Sequence, residues 1–238
     1  SNHTETIIFS NSLGTNYSMW DEVVSWIKPH FNIILHDTRG HGKSTNSKKE
    51  LTIAELGEDV IEILDALKIE KAIFCGLSMG GLIGQYLGIH HPNRFKKIIL
   101  ANTAALIGTQ NGWNDRIAFV TENGLENILT GTAERWFTPE FREKCPEKVQ
   151  NILSIFAQNK PENYCANCVA VRDADFRNQI ETITIPTTII SGSQDLVTTV
   201  DEGNFMASKI KNAKHYTLNA NHLSATELPQ QFAEILLD

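Results

Sequence analysis

The chain has 238 residues, 21 of them basic and 28 acidic, for a net charge of −7 with histidine neutral. That balance lacks the basic surplus of a phosphate-backbone binder and argues mildly against nucleic acid, and no apolar run approaches the roughly 18 residues of a membrane span; the longest, Ile98 to Ile107, is broken by Asn102 and Thr103. A length of this order, with 41% hydrophobic and 21% charged residues, fits one globular domain or one domain carrying a large insertion.

The opening Ser1-Asn2-His3-Thr4-Glu5 has neither a charged n-region nor an apolar h-region, so no secretory signal is expected and the cytoplasm is the expected compartment. Thr6 to Phe9 reads as a strand running into the turn Ser10-Asn11-Ser12-Leu13-Gly14, and Asn32 to His36 as a second running into Asp37-Thr38-Arg39-Gly40-His41-Gly42. A helix follows from Ile53 to Leu67, with Ile53, Leu56, Val60, Ile63, Leu64 and Leu67 on one face. Thr52 is its N-cap and Glu55, three residues on, completes a capping box. The strand Lys71 to Cys75 leads into Gly76-Leu77-Ser78, then an apolar helix from Gly80 to His90 closes at Pro92. Lys97 to Ala101 is a further strand ending at Asn102-Thr103.

From about Leu106 to Ile180 no strand is readable, only helical patterns punctuated by Gly124, Gly131, Pro139, Pro146 and Pro161. Strands resume at Thr187 to Ser191 and Lys214 to Leu218, and an amphipathic helix spans Glu227 to Leu237 with Pro229 in its first turn. The strands are Ile-rich and nearly continuous, as strands covered on both faces should be. Alternation of strand and helix predicts an α/β fold with a doubly wound, mostly parallel sheet. Residues 1–105 and 181–238 would form the core and 106–180 an all-helical cap above one edge of the sheet.

Gly76-Leu77-Ser78-Met79-Gly80 is a G-x-S-x-G at a strand-to-helix junction, the context of a nucleophile elbow. The elbow would expose Ser78 at the carboxyl end of a central strand and aim the helix N-terminus at a developing oxyanion. A nucleophilic serine needs a base and an orienting acid, in the order Ser, Asp, His. Asp195, in the turn after Ile189-Ile190-Ser191, and His222, past the last strand and before the terminal helix, fit that order. The N–H groups of Met79 and of Leu13, in the loop after the first strand, are the expected oxyanion donors. Other histidines read more plainly. His90 and His91 end a helix, and His3, His30 and His215 lie near element ends with no partner visible. His36 and His41 flank a turn that Asp37 and Arg39 brace, and could also approach the site.

The four cysteines are too sparse for a disulfide framework. Cys75 reads as a small core residue. The lone Cys165-Ala166-Asn167-Cys168 lacks both the second pair of a zinc site and the preceding strand of a redox motif. No metal site is expected.

The elbow, the Asp37-Thr38-Arg39-Gly40-His41-Gly42 turn and the Ser–Asp–His order resemble the α/β-hydrolase superfamily. More narrowly, the chain resembles the bacterial 3-oxoadipate enol-lactonase family through Phe9-Ser10-Asn11-Ser12-Leu13-Gly14-Thr15, the same turn, and Gly76-Leu77-Ser78-Met79-Gly80-Gly81. Asn102-Thr103-Ala104-Ala105, Arg135-Trp136-Phe137-Thr138 and Asn221-His222-Leu223-Ser224 extend the likeness over most of the chain from Thr6 onward. Asn11-Ser12 stands where the superfamily usually has His-Gly. Superfamily members also begin with two further strands, for which this chain has only about five residues ahead of Thr6.

The resemblance implies hydrolysis of an enol-lactone to 3-oxoadipate in bacterial aromatic catabolism, without metal or organic cofactor. Such a substrate is a small anion carrying a free carboxylate, which a chain of net charge −7 repels at long range, so a local cation is expected. Arg135 is the candidate, its guanidinium gripping the carboxylate in bidentate fashion with Trp136 walling the pocket. A carboxylesterase or perhydrolase using the same three residues, or a hydrolase-fold receptor with little turnover, are the alternatives. The oligomeric state is not readable.

Overall fold

The computed structural model describes residues 3–238. Of the opening stretch read for a leader, Ser1 and Asn2 lie outside those residues. Six strands, β1 (Thr6–Ser10), β2 (Asn32–Leu35), β3 (Ala72–Leu77), β4 (Phe95–Ala101), β5 (Thr187–Gly192) and β6 (Lys214–Leu218), form one sheet in the order β2-β1-β3-β4-β5-β6. Every pairing is parallel. The chain starts at β1, crosses outward to β2 and returns on the other side to β3, so the crevice of the sheet opens between β1 and β3 at their carboxyl ends. Ser10 lies opposite Gly76 there, which sets the loop after β1 beside the loop after β3.

Helices α1 (Asp21–Ile27) and α11 (Pro229–Leu237) pack together on one face; α2 (Ile53–Ala66), α3 (Met79–His90) and α9 (Val200–Lys209) cover the other. Trp20 fills the first layer between Phe9 and Phe232, ring centroids 4.8 and 5.8 Å away. Strands β3 and β5 are buried along their whole length, as their unbroken apolar runs require, whereas the edge strands β2 and β6 keep partial exposure. The edges thus depart from the two-sided burial read from the sequence, because each has a neighbour on one side only.

Thr52 and Glu55 form the reciprocal capping box at the start of α2, a contact worth about 1 kcal/mol. The apolar stripe of α2 stops short of its expected end: the helix closes at Ala66, and Leu67 is 54% exposed beyond it. The terminal helix is also divided. A single turn, α10 (Ser224–Glu227), precedes α11, and the break falls at Leu228 because the residue before a proline is driven out of the helical region. Two helices went unread in the sequence: α1 is only seven residues long, and α9 carries Gly203 among polar residues.

Between β4 and β5 the chain contains α4 (Gln110–Asn123), α5 (Leu129–Trp136), α6 (Pro139–Lys144), α7 (Pro146–Ala157) and α8 (Pro161–Asp173), with no strand. These helices arch over the carboxyl ends of the strands. Asn159 Nδ2 donates to the Gly14 carbonyl (2.8 Å), Asn167 Nδ2 to the Arg39 carbonyl (3.0 Å), and the Phe176 N–H to the Ala105 carbonyl (2.8 Å). No helix among the described residues is long and apolar enough to cross a membrane.

Candidate active site

Ser78 stands between the end of β3 and the start of α3 at φ 60°, ψ −112°, a left-handed conformation that costs an alanine-like residue about 1–3 kcal/mol. The surroundings hold it there. Its N–H donates to the Ala101 carbonyl (2.9 Å) and its carbonyl accepts from Thr103 Oγ1 (2.8 Å). The glycines of the motif are steric necessities: a Cβ on Gly76 would lie 2.0 Å from the Gly80 carbonyl oxygen, and one on Gly80 would lie 2.4 Å from that of Ser10.

Three side chains from three different loops meet in a hydrogen-bonded chain. Ser78 Oγ is 2.9 Å from His222 Nε2, and His222 Nδ1 is 2.8 Å from Asp195 Oδ2. With the carboxylate as acceptor, Nδ1 carries the proton and Nε2 is left to accept from the serine hydroxyl. The Asp195 carboxylate is buried and also takes bonds from the Val197 and Thr198 N–H groups (2.8 and 3.0 Å), Thr198 Oγ1 (2.7 Å) and Asn102 Nδ2 (3.1 Å). Burial raises its pKa, but His222 and the donors from Thr198 outweigh that and hold it at about 2. The carboxylate is therefore a fixed negative charge at neutral pH.

In the loop after β1 the Ser12 N–H points at Met19 Sδ (3.4 Å) and the Gly14 N–H donates to His41 Nε2 (2.9 Å). The Leu13 N–H between them has no intramolecular partner among the described residues, nor has the Met79 N–H at the first turn of α3. Asn11 shapes this loop from below. Its Nδ2 donates to the Ser12 and Thr15 carbonyls (2.9 and 3.0 Å), while its Oδ1 accepts from the Thr38 N–H and Oγ1 (2.9 and 2.7 Å). His41 is buried and stays neutral, its pKa lowered to about 4 by desolvation. Its Nδ1 lies 3.4 Å from the Arg39 carbonyl, which leaves Nε2 as the acceptor for Gly14. Asp37 and Arg39 brace the same region: Asp37 accepts from the Tyr17 and Lys43 N–H groups, and Arg39 pairs with Asp59.

Ser78 and His222 open into a cavity of about 380 Å³ roofed by the α4–α8 segment. Trp136, Phe156 and Tyr164 make one aromatic wall with edge-to-face contacts at 5.4 and 5.3 Å. Two arginines face the same space. Arg135 donates to Thr132 Oγ1 (3.1 Å); Arg116 donates to Tyr164 Oη (3.1 Å) and lies 5.9 Å from the centre of the Trp113 ring. Neither forms an ion pair with a carboxylate among the described residues. Burial, then the like charge of Arg116, lowers the pKa of Arg135. Both arginines are half-buried, and two half-buried cations without a carboxylate partner make a site that favours an anion.

The α/β hydrolase fold family matches residues 5–227. The chain belongs to the α/β-hydrolase family. Within it, the chain is 46% identical over 226 residues to 3-oxoadipate enol-lactonase 2 of Acinetobacter baylyi, a match covering 95% of this chain and 85% of that protein. It is similar to the crystal structure of the enol-lactonase from Burkholderia xenovorans with a TM-score of 0.98 at 38% identity, covering 100% of this chain and 91% of the other. A thermophilic esterase from Thermogutta terrifontis shares the fold at a TM-score of 0.94 and 20% identity, covering 100% and 89% of the two chains. The six-stranded parallel sheet flanked by helices is thus an α/β-hydrolase fold.

Sequence reasoning named Ser78, Asp195, His222, Leu13, Met79, Arg135 and Trp136, and all seven lie at or around this cavity. Two contributors, Arg116 and Asn102, are not among them, and a third, His41, is foreseen only as able to approach the site. Arg116 sits in a helix with only Val120 buried, so no apolar stripe showed which way it points. Asn102, at φ 42°, ties Asp195 to the Asn221 carbonyl (3.2 Å) and accepts from Ser224 Oγ; its place at a strand end was the one available signal. The bond of His41 to Gly14 spans 27 residues, so the sequence allows its approach to the site without giving its partner. His215, whose partners are not visible in the sequence, meets Ser191 Oγ (2.9 Å) and Asn204 Oδ1 (3.1 Å).

Proposed function

We propose that the chain hydrolyses 3-oxoadipate enol-lactone to 3-oxoadipate through an acyl-enzyme on Ser78, as a step of bacterial aromatic catabolism. The observation that carries this reading is the hydrogen-bonded Asp195–His222–Ser78 chain opening on a pocket whose two arginines have no carboxylate partner among the described residues. His222 Nε2 takes the Ser78 proton as Oγ attacks the lactone carbonyl. The N–H groups of Leu13 and Met79 hold the oxyanion. When the tetrahedral intermediate collapses, the ring C–O bond breaks and the enolate leaves, accepts the proton from His222 and tautomerises to the ketone. His222 next takes a proton from water, the resulting hydroxide adds to the acyl carbonyl, and Ser78 leaves with that proton to release the acid. Asp195 holds the imidazole and stabilises its cationic form throughout.

The substrate's own carboxylate lies far from the reacting carbonyl and falls to Arg135, with Arg116 beside it and Trp136 as the apolar wall. In this reading residues 106–180 act as a cap that selects the substrate, over a catalytic core of 1–105 and 181–238. All four cysteines are free thiols, which fits a reducing compartment such as the cytoplasm.

The test is steady-state hydrolysis of 3-oxoadipate enol-lactone beside a neutral p-nitrophenyl ester, for wild type and Ser78→Ala. A kcat/KM preference for the lactone of about a hundredfold or more, abolished by the substitution, is expected. Ester turnover without lactone turnover would keep the nucleophile and discard the substrate, leaving a carboxylesterase.

A further inference from the structure

The loop that carries His222 is stitched to the segment that carries Arg135. The Leu223 N–H donates to the Trp136 carbonyl (3.0 Å), and Asn221 Nδ2 donates to the Glu134 carbonyl (3.1 Å). These bonds flank the two functional residues: positions 221 and 223 lie either side of His222, and positions 134 and 136 either side of Arg135. One side chain closes the outer end of the seam. Glu227 Oε1 accepts from the Asn221 N–H (2.8 Å), and Glu227 Oε2 accepts from the Thr138 N–H (3.2 Å) and Thr138 Oγ1 (2.6 Å).

A half-buried carboxylate usually has a cation beside it. Glu227 forms no ion pair among the described residues; three donors from two chain segments take that place. Surface salt links of the kind seen elsewhere in this molecule would not fix geometry, since each ties one flexible tip to another. Glu227 instead receives two main-chain N–H groups, one from each segment, at the end of the short helix α10. A shift of α6 (Pro139–Lys144), whose first turn Thr138 also caps through the Phe141 N–H (3.2 Å), would therefore pull on the residue next to His222.

We propose that Glu227 is a positioning residue that holds the His222 loop and the Arg135 segment in one register, so that proton transfer at Ser78 and the grip on the substrate carboxylate are set together. This rests on the roles given above to Ser78, His222 and Arg135. The residue type matters. Two carboxylate oxygens serve donors on opposite sides, whereas glutamine has one acceptor oxygen and would turn its NH₂ toward an N–H. Aspartate is one methylene short of spanning the gap.

The experiment compares Glu227→Gln and Glu227→Ala with Arg135→Ala, measuring kcat and KM on the enol-lactone and on a neutral p-nitrophenyl ester, with Tm recorded for each. Glu227→Gln is expected to lower kcat on the neutral ester by about tenfold or more, and to raise KM for the lactone, in a protein that remains folded at the assay temperature. Arg135→Ala is expected to change only the lactone KM. A folded Glu227→Gln enzyme whose ester kcat stays within about twofold of wild type would overturn the proposal, whatever its Tm, by showing that the seam contributes stability alone. Should the alanine variant fail to fold, the glutamine variant still decides. The ester readout also separates this outcome from a wrong substrate, which would appear as wild type failing on the lactone while turning over the ester.

Discussion

Around Asp195 and around the two pocket arginines the protein treats charge in opposite ways. The Asp195 carboxylate collects donors from Asn102, Val197, Thr198 and His222, and nothing about it waits for a ligand. Arg116 and Arg135 have only neutral partners, Tyr164 Oη and the Trp113 ring for the first and Thr132 Oγ1 for the second, and Arg135 feels the charge of Arg116. The hydrogen bonds at the sheet edge are thus complete within the protein itself, and in the proposed function the helical roof keeps contacts for the substrate to finish. Reaction chemistry needs dipoles fixed in advance. Selection of an anion needs the reverse: a cation whose solvation is poor until the right partner enters.

Substitutions should separate the two halves cleanly. Ser78→Ala or His222→Ala should lower kcat by about 10⁴-fold or more on any ester, charged or neutral, and the double substitution should fall little further because the pair acts as a unit. Asp195→Asn, which keeps the shape and spoils the tautomer, should lower kcat by about 10³- to 10⁴-fold. Steady-state rates on lactone and neutral ester check all three; a lactone-selective loss in any of them would blur the division. In the roof, Arg135→Ala should raise KM for the anionic lactone by about tenfold to a hundredfold and leave a neutral ester nearly unchanged, with Arg116→Ala smaller because Tyr164 and Trp113 already engage it.

Acid should break the sheet edge before the roof. Burial lowers the pKa of His36 and of His41 to about 4, against 6.5 in an unfolded chain. Between those values the unfolded state binds more protons than the native one, so stability is complete above pH 6.5 and falls as pH drops toward 4. The loss is about 3 kcal/mol for the fully buried His41 once it is complete, and smaller for His36, which is partly exposed. Protonated His41 could no longer accept from the Gly14 N–H, which unlatches the loop holding Leu13. Denaturant unfolding at stepped pH should show the fall, and His41→Phe should flatten part of it. The smallest effect belongs to the far side of the molecule. Thr52→Ala removes the α2 capping box and should cost about 1 kcal/mol with kinetics unchanged, measured by the denaturation midpoint.

The two halves also differ in how far their residues could be read from the chain. At the sheet edge, local rules carry much of the information. A G-x-S-x-G after an apolar strand names Ser78, since Gly76 and Gly80 have no room for a Cβ, and strand ends followed by turns point to Asp195 and His222. All of the strands were legible from their apolar runs and bounding turns. The roof obeys weaker rules. Its helices were evident from proline and glycine punctuation, but Arg116 lies on a helix with a mostly polar surface, and only the three-dimensional path of α4 aims it inward. Residues that act across long separations, such as Asn102 on Asp195 or His41 on Gly14, leave no periodic trace. The break at Leu228 was available in Pro229 and was overridden by the amphipathic pattern around it.

The seam between residues 134–138 and 221–227 bears on how such a protein could diversify. Exchanging the helical roof for that of a relative would look simple, because its two junctions lie at the end of β4 and the start of β5 and Ser78 comes from elsewhere. Yet a transplanted roof must bring backbone carbonyls to the places of Glu134 and Trp136 and a donor to that of Thr138, or the recipient's histidine loop loses its abutment. Chimeras whose crossover points keep 134–138 together with 221–227 should be the ones that retain turnover while acquiring a new substrate preference.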